Sequence, residues 1–267
     1  MIPTVRAEFR KFFTTRMWWG LLIPTALLGG LFAWLAASLI AGSEAGGPGG
    51  GGGRFPGLDN PQMVSSVYTF GLSISRLILL AIGVMCIGAE YRHKTITGTF
   101  LATPVRSTVM AAKVVSLLVI GALYGLVQTA GSFGVGAAII RSKGFDILPD
   151  GAMRSLALGL LVLGLWALIG LGAGILIPNQ VAALLIAVGV AWIVEPLLTL
   201  VFSTQSWGEP LVPYMPSQAT SAIVNSISDP NSTIAPLSWQ VASLVLLGYA
   251  VLLAVIGTLR TLRADIS

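Results

Sequence analysis

LALGLLVLGLWALIGLGAGILI, residues 156–177, runs for twenty-two positions without a charged residue or a proline. Its apolar residues are continuous and do not alternate with polar ones, so the stretch reads as a helix and not as a strand of a barrel. A helix needs about 20 apolar residues to cross a hydrocarbon core. Residues 156–177 meet that length alone, and comparable runs lie on both sides of them.

Five further runs are long enough to cross: 18–41, 64–89, 114–140, 181–202 and 237–259. Only 9% of the chain is charged and 55% is hydrophobic, with a mean hydropathy of +0.88; an average soluble domain has roughly a quarter of its residues charged. The predicted fold is an all-α membrane protein of six transmembrane helices in a single transmembrane domain, 1–267. The spans leave no room for a separate soluble domain of about 100 residues. The first run follows basic residues, as a signal peptide would, but its apolar part is longer than the 7–15 residues of a signal core, which predicts a retained helix.

The excess of basic residues predicts orientation. With the N-terminus inside, Arg6, Arg10, Lys11, Arg16, Arg92, Lys94, Arg106, Lys113, Arg260 and Arg263 fall on the inner side, against Arg54, Arg141, Lys143 and Arg154 outside. That bias predicts a multi-pass protein of the cell membrane with both termini cytoplasmic. Arg141, Lys143 and Arg154 run against it. The bases are scattered over span ends and not gathered on one face, which argues against nucleic acid as a partner. The lipid bilayer is the expected surrounding. Cys86, the single cysteine, has no partner for an internal disulfide and reads as a small core residue.

Residues 1–16 repeat Ile2, Val5, Phe9, Phe12 and Phe13 at helical spacing, with Arg6, Arg10 and Lys11 elsewhere on the wheel. This predicts an interfacial amphipathic helix, with a disordered basic anchor as the alternative. The run GGPGGGGG at 46–53 reads as a flexible linker, since no Lys-Ser or Lys-Thr pair follows it. The segment 203–236 has no Lys or Arg, contains Pro210, Pro213, Pro216 and Pro230, and predicts an outer re-entrant or surface segment with a short helix over 217–227.

Catalytic and metal motifs are missing. No lysine follows a glycine, so there is no Walker A sequence; one His and one Cys cannot form a structural zinc site. The chain is therefore expected to be no enzyme and to hold no metal or cofactor of its own. Arg76, Gln128 and Glu195 lie within spans, where a bare charge costs several kcal/mol, so each should face protein or water. They are candidates for a substrate path, or for an ion pair between Arg76 and Glu195 that locks two helices.

The remaining charge gathers in GAEYRHKTITGTFLATPVRSTVMAAK, residues 88–113, which holds four of the fifteen Lys and Arg and the only His. Glu90 and Lys94 stand four apart, Ile96, Phe100 and Leu101 supply a small apolar face, and Thr103-Pro104 should end a helix. Periodicity alone leaves this segment either a charged loop that marks topology or a surface helix that receives a partner. Glu90-Tyr91-Arg92, then Thr95-Ile96, Leu101, Pro104, Arg106 and Lys113, resembles the loop between the second and third spans of type-2 ABC transporter permeases. The interfacial helix, six spans with both ends inside, and the long outer segment before the last span are similar to that family too. The glycine-rich first outer loop departs from it.

The resemblance implies that 90–106 is a coupling helix docking on a separate ATP-binding subunit, with Glu90, Tyr91, Arg92, Thr95, Ile96, Phe100 and Leu101 as the coupling residues. It implies a membrane dimer with a second permease copy or a homologous permease. Two ABC ATPase subunits would hold the ATP and Mg, and the assembly would act as an exporter. The rival expectations are an ion-gradient-driven secondary transporter with Glu195 as proton carrier, and a non-transporting membrane scaffold. The few acids in the spans and the lack of a convincing inverted repeat argue against the first rival.

Overall fold

The computed structural model describes residues 2–44, 57–95, 98, 106–224 and 236–263. Among these the chain is helical, and six helices are long and apolar enough to cross a membrane: Met17–Ala41, Pro61–Arg92, Ser107–Ser142, Ala152–Leu176, Gln180–Ser203 and Trp239–Gly257. The expected all-α membrane fold is the fold observed. A short helix, α1 (Ile2–Phe13), precedes the first span, α2 (Met17–Glu44). The second span is α3 (Pro61–Thr69) followed by α4 (Leu72–Arg92), and the third is α5 (Arg106–Ser142). The fourth is α6 (Ala152–Leu176), and the fifth combines α7 (Gln180–Gly189), a π-helical turn (Val190–Val194) and α8 (Glu195–Ser203). A 3-10 turn (Glu209–Tyr214) and α9 (Pro216–Ile223) lead toward the sixth span, α10 (Trp239–Arg263).

Span 4 is the hub. Trp166, Leu163, Ala167 and Val162 are buried in the main core, and α6 packs on α4, α5 and α10. Small residues permit the closest crossing. A methyl built on Gly83 would lie 2.0 Å from the Ala167 carbonyl oxygen, and one on Gly170 would lie 2.0 Å from that of Leu80. In lipid there is little hydrophobic drive between helices, so such close backbone approach is what makes packing favourable. Spans 5 and 6 present Leu185, Trp192, Leu200, Leu244 and Leu252 outward.

Three local features differ from the simplest reading of the sequence. The second span starts at Pro61, not at residue 64, because Asn60 accepts a hydrogen bond from the Gln62 N–H (2.9 Å) and Pro61 fits the first helical position. The third span already includes Arg106 and so begins before residue 114. The 37 residues of α5 would extend about 55 Å at 1.5 Å per residue, longer than a hydrocarbon core of about 30 Å, so the helix is longer than a crossing requires. In the fifth span, Pro196 has no N–H to donate and its ring crowds the carbonyl four residues earlier; the ladder widens and the Glu195 N–H bonds to the Val190 carbonyl.

Candidate functional site

At the end of the bundle that carries α1, four charged side chains close a ring. Lys113 donates to Glu8 Oε2 (2.7 Å) and Glu90 Oε1 (2.6 Å), and Lys11 donates to Glu8 Oε1 (2.7 Å) and the same Glu90 oxygen (2.7 Å). Charges alternate around it, and each lysine bridges both acids. The lysine stems and carboxylates come from three elements: Glu8 and Lys11 from α1, Glu90 from the last turns of α4, and Lys113 from the start of α5. Glu8 and Lys11 are three apart and so share one helix face. Side-chain exposure is 2% for Lys113, 7% for Glu90 and 8% for Glu8, against 44% for Lys11.

Burial on this scale favours neutral side chains, and the ring opposes it. Burial alone would raise the Glu8 pKa, but the attraction and hydrogen bonds of Lys113 and Lys11 outweigh it and leave the carboxyl below its ordinary range. Burial would likewise lower Lys11, and the two carboxylates hold it above its ordinary value. Glu90 Oε2 is buried without a hydrogen-bond partner, so one corner of the ring is under-satisfied. Aromatic contacts press α1 onto the same place: Phe12 packs edge-on against Tyr124 (6.3 Å) and Phe13 against Trp18 (5.7 Å), while the Tyr124 hydroxyl donates to the Trp18 carbonyl (2.6 Å).

This ring is the root of residues 90–106. Glu90, Tyr91 and Arg92 form the last turn of α4; Glu90 faces Lys11 and Lys113 and not Lys94. The helix ends where the His93 N–H bonds to the Ala89 carbonyl (2.9 Å) and Lys94 turns into the left-handed region at φ 54°. Arg92 and Thr95 are exposed. Tyr91 and Arg92 line a groove of about 310 Å³ with Pro178, Asn179, Gln180 and Val181, where spans 4 and 5 join. Ile96, Phe100 and Leu101 lie outside the described residues, as does the glycine run at 46–53.

The intramembrane candidates fall into two places. The guanidinium of Arg76 lies over the Trp166 ring, 4.8 Å from its centre, with Nε donating to the Ser73 carbonyl (3.2 Å). Trp166 Nε1 donates to Thr220 Oγ1 on α9 (2.8 Å), and Glu195 Oε1 accepts the Ser217 N–H in the first turn of the same helix. The carboxylate thus satisfies one of the N–H groups that a helix start leaves open and meets the positive end of its dipole. The second oxygen of Glu195 is buried without a partner. Arg76 and Glu195 interact electrostatically but form no ion pair; α9 and Trp166 stand between their contacts. Gln128 belongs elsewhere. It is 1% exposed, accepts from Ser75 Oγ (2.6 Å), and fills the crossing near Gly29 and Gly71, where a methyl on Gly71 would reach its Nε2 at 2.6 Å. Ser75 and Arg76 are adjacent on α4 and so face different directions.

Glu8 was not among the candidates read from the sequence. Its signal was present, since it is the sole acid among the first sixteen residues and stands three before Lys11. Among the described residues no cluster of three or more His, Cys, Asp or Glu could hold a metal ion.

The class that fold and site define is an all-α, multi-pass membrane protein with charge networks at one end and inside the bundle. Compared with known proteins, the chain matches no protein-family model and no curated sequence.

Proposed function

We propose that the chain is the membrane-spanning permease subunit of an ATP-driven exporter of the type-2 ABC kind, pairing with a second permease and with two separate ATPase subunits. The observation that carries this reading is the anchoring of the 90–106 segment. Its first turn is tied by Glu90 to α1 and α5, while Arg92 and Thr95 project at the surface beside the groove of Tyr91 and Asn179. A surface element on so stiff a root transmits a push into three helices, which is what an external motor requires. In this reading the α1 end is cytoplasmic in the cell membrane, ATP and Mg sit on the partner chains, and this chain catalyses nothing itself.

Arg76, Trp166, Thr220 and Glu195 then serve the transport path, since they couple spans 2, 4 and 5 to α9 near the far end. The rival reading of a secondary transporter draws support from the partnerless Glu195 Oε2. Transport by proteoliposomes carrying the purified complex separates the two. ATP-dependent transport that persists when an ionophore collapses the ion gradients is expected; transport driven by a gradient without ATP sinks the proposal. If Arg76→Ala leaves transport intact and only lowers the melting temperature, Arg76 is not part of the path.

A further inference from the structure

The ring of Glu8, Lys11, Glu90 and Lys113 joins the interfacial helix to both sides of the 93–105 connection. Three facts about its construction limit what it does. It is closed, so that no single link holds α1 alone. It alternates in charge, so that the two acids and two bases balance. It sits where α1, the last turn of α4 and the first turns of α5 meet, with Phe12 and Tyr124 packed just beyond it. Glu90 is adjacent to Tyr91 and two residues before Arg92, where α4 ends. A displacement passed back along the chain from Thr95 therefore meets Glu90, and through its shared oxygen both lysines.

We infer that Glu8, Lys11 and Lys113 are positioning residues that make α1, the end of span 2 and the start of span 3 one rigid body, so that displacement of the 93–105 segment is delivered to the interfacial helix as well as to the spans. The inference rests on the coupling reading for the source of the force. Its mechanical content stands apart from that reading. A rigid joint predicts one separation between α1 and α5; a loose interfacial helix predicts several. Alternation around a ring also makes a prediction that an ordinary pair does not. Exchanging Glu90 and Lys113 would restore their mutual attraction but set Lys11 against a new lysine and Glu8 against a new glutamate. Only reversal of all four charges keeps the alternation.

The test is pulsed electron-paramagnetic-resonance distance measurement on the full chain in lipid nanodiscs, without any ATPase. Labels are placed through Ala7→Cys on α1 and Ser107→Cys on α5, both exposed positions, in a Cys86→Ser background. A single narrow distance is expected. Lys113→Met should split or broaden it, Glu90→Lys/Lys113→Glu should be no better, and the fourfold reversal should recover most of the single peak. If Lys113→Met fails to fold, Lys11→Met, at the partly exposed corner, should broaden the distribution in a folded protein. An unchanged distribution in the folded variants overturns the joint, and full recovery by the twofold exchange overturns the ring. With the ATPase complex, Lys11→Met should retain hydrolysis and lose transport. A broadened distance with transport per ATP unchanged overturns the transmission role. Failure to find any ATPase partner would sink the coupling reading and leave the distance result to stand or fall alone.

Discussion

Replacing Lys113 by methionine removes a positive charge that is 2% exposed and makes two of the four links in the ring. Met keeps the length of the stem and leaves two carboxylates, 8% and 7% exposed, facing a single lysine. Removing one partner of a buried charge pair costs about 3–5 kcal/mol, mostly because the other charge stays buried without compensation. Lys11 still bridges both acids, which places the expected loss near the low end, about 3 kcal/mol, or roughly two powers of ten in the folded-to-unfolded ratio. Lys11→Met removes as many links, but its side chain is 44% exposed and water screens the pair, so about 1 kcal/mol or less is expected. The assay is equilibrium unfolding in bicelles by increasing SDS, followed by tryptophan fluorescence. The neutral triple variant Glu8→Gln/Glu90→Gln/Lys113→Met should recover most of what Lys113→Met loses, since buried ion pairs replaced together by neutral groups are often tolerated. If Lys113→Met stays within about 0.5 kcal/mol of the parent, the ring carries no uncompensated buried charge when broken and the reasoning fails.

Other consequences are open to direct measurement. Glu8 titrates below its ordinary range, so its contribution is present above the unfolded carboxyl pKa of about 4.3 and lost as pH falls through the folded value; Lys11 titrates above its ordinary value, so its contribution is present below about 10.4 and lost as pH rises through the folded value. A spin label introduced by Ala7→Cys should therefore show constant mobility across the middle of the pH range and rising mobility at both extremes. Gly170→Ala and Gly83→Ala should each force spans 2 and 4 apart and lower the yield of folded protein, because the new methyl meets a backbone carbonyl at 2.0 Å; Gly248→Ala, with nothing within 4 Å, should leave stability equal or higher. Glu195→Gln keeps an acceptor for the Ser217 N–H and should leave α9 in place, whereas Glu195→Ala should raise hydrogen exchange at Ser217 and in the first turn of α9.

The spans were legible because a bilayer demands a length and a composition that the sequence states directly. Residues 156–177 needed no tertiary information to be read as a crossing helix. The short helix after Pro216 was legible too, since proline favours a first helical position. What escaped depended on contacts between distant residues. The role of Glu8 required knowing that α1 folds back beside Glu90 and Lys113, positions 82 and 105 residues away by their numbering. Glu90 invited pairing with Lys94 by spacing, but the chain leaves helical geometry at Lys94 and two other lysines reach the carboxylate. Glu195 suggested a charge in need of a partner. That its main contact is a backbone N–H of α9, and that a π-helical turn before Pro196 turns it inward, follows from packing that no periodicity reports.

Whether the motor of another protein engages residues 90–106 is decided by photocrosslinking. Thr95, exposed at the root of the segment, is replaced by benzoylphenylalanine in the tagged full chain in its native membrane, irradiated, and the adduct identified by mass spectrometry. An adduct with a peptide of an ABC-type ATPase is expected at position 95, and none when the label is placed at Leu244, exposed on span 6. Adducts at position 95 with lipid alone, in membranes where an ATPase of that type is present, would contradict it.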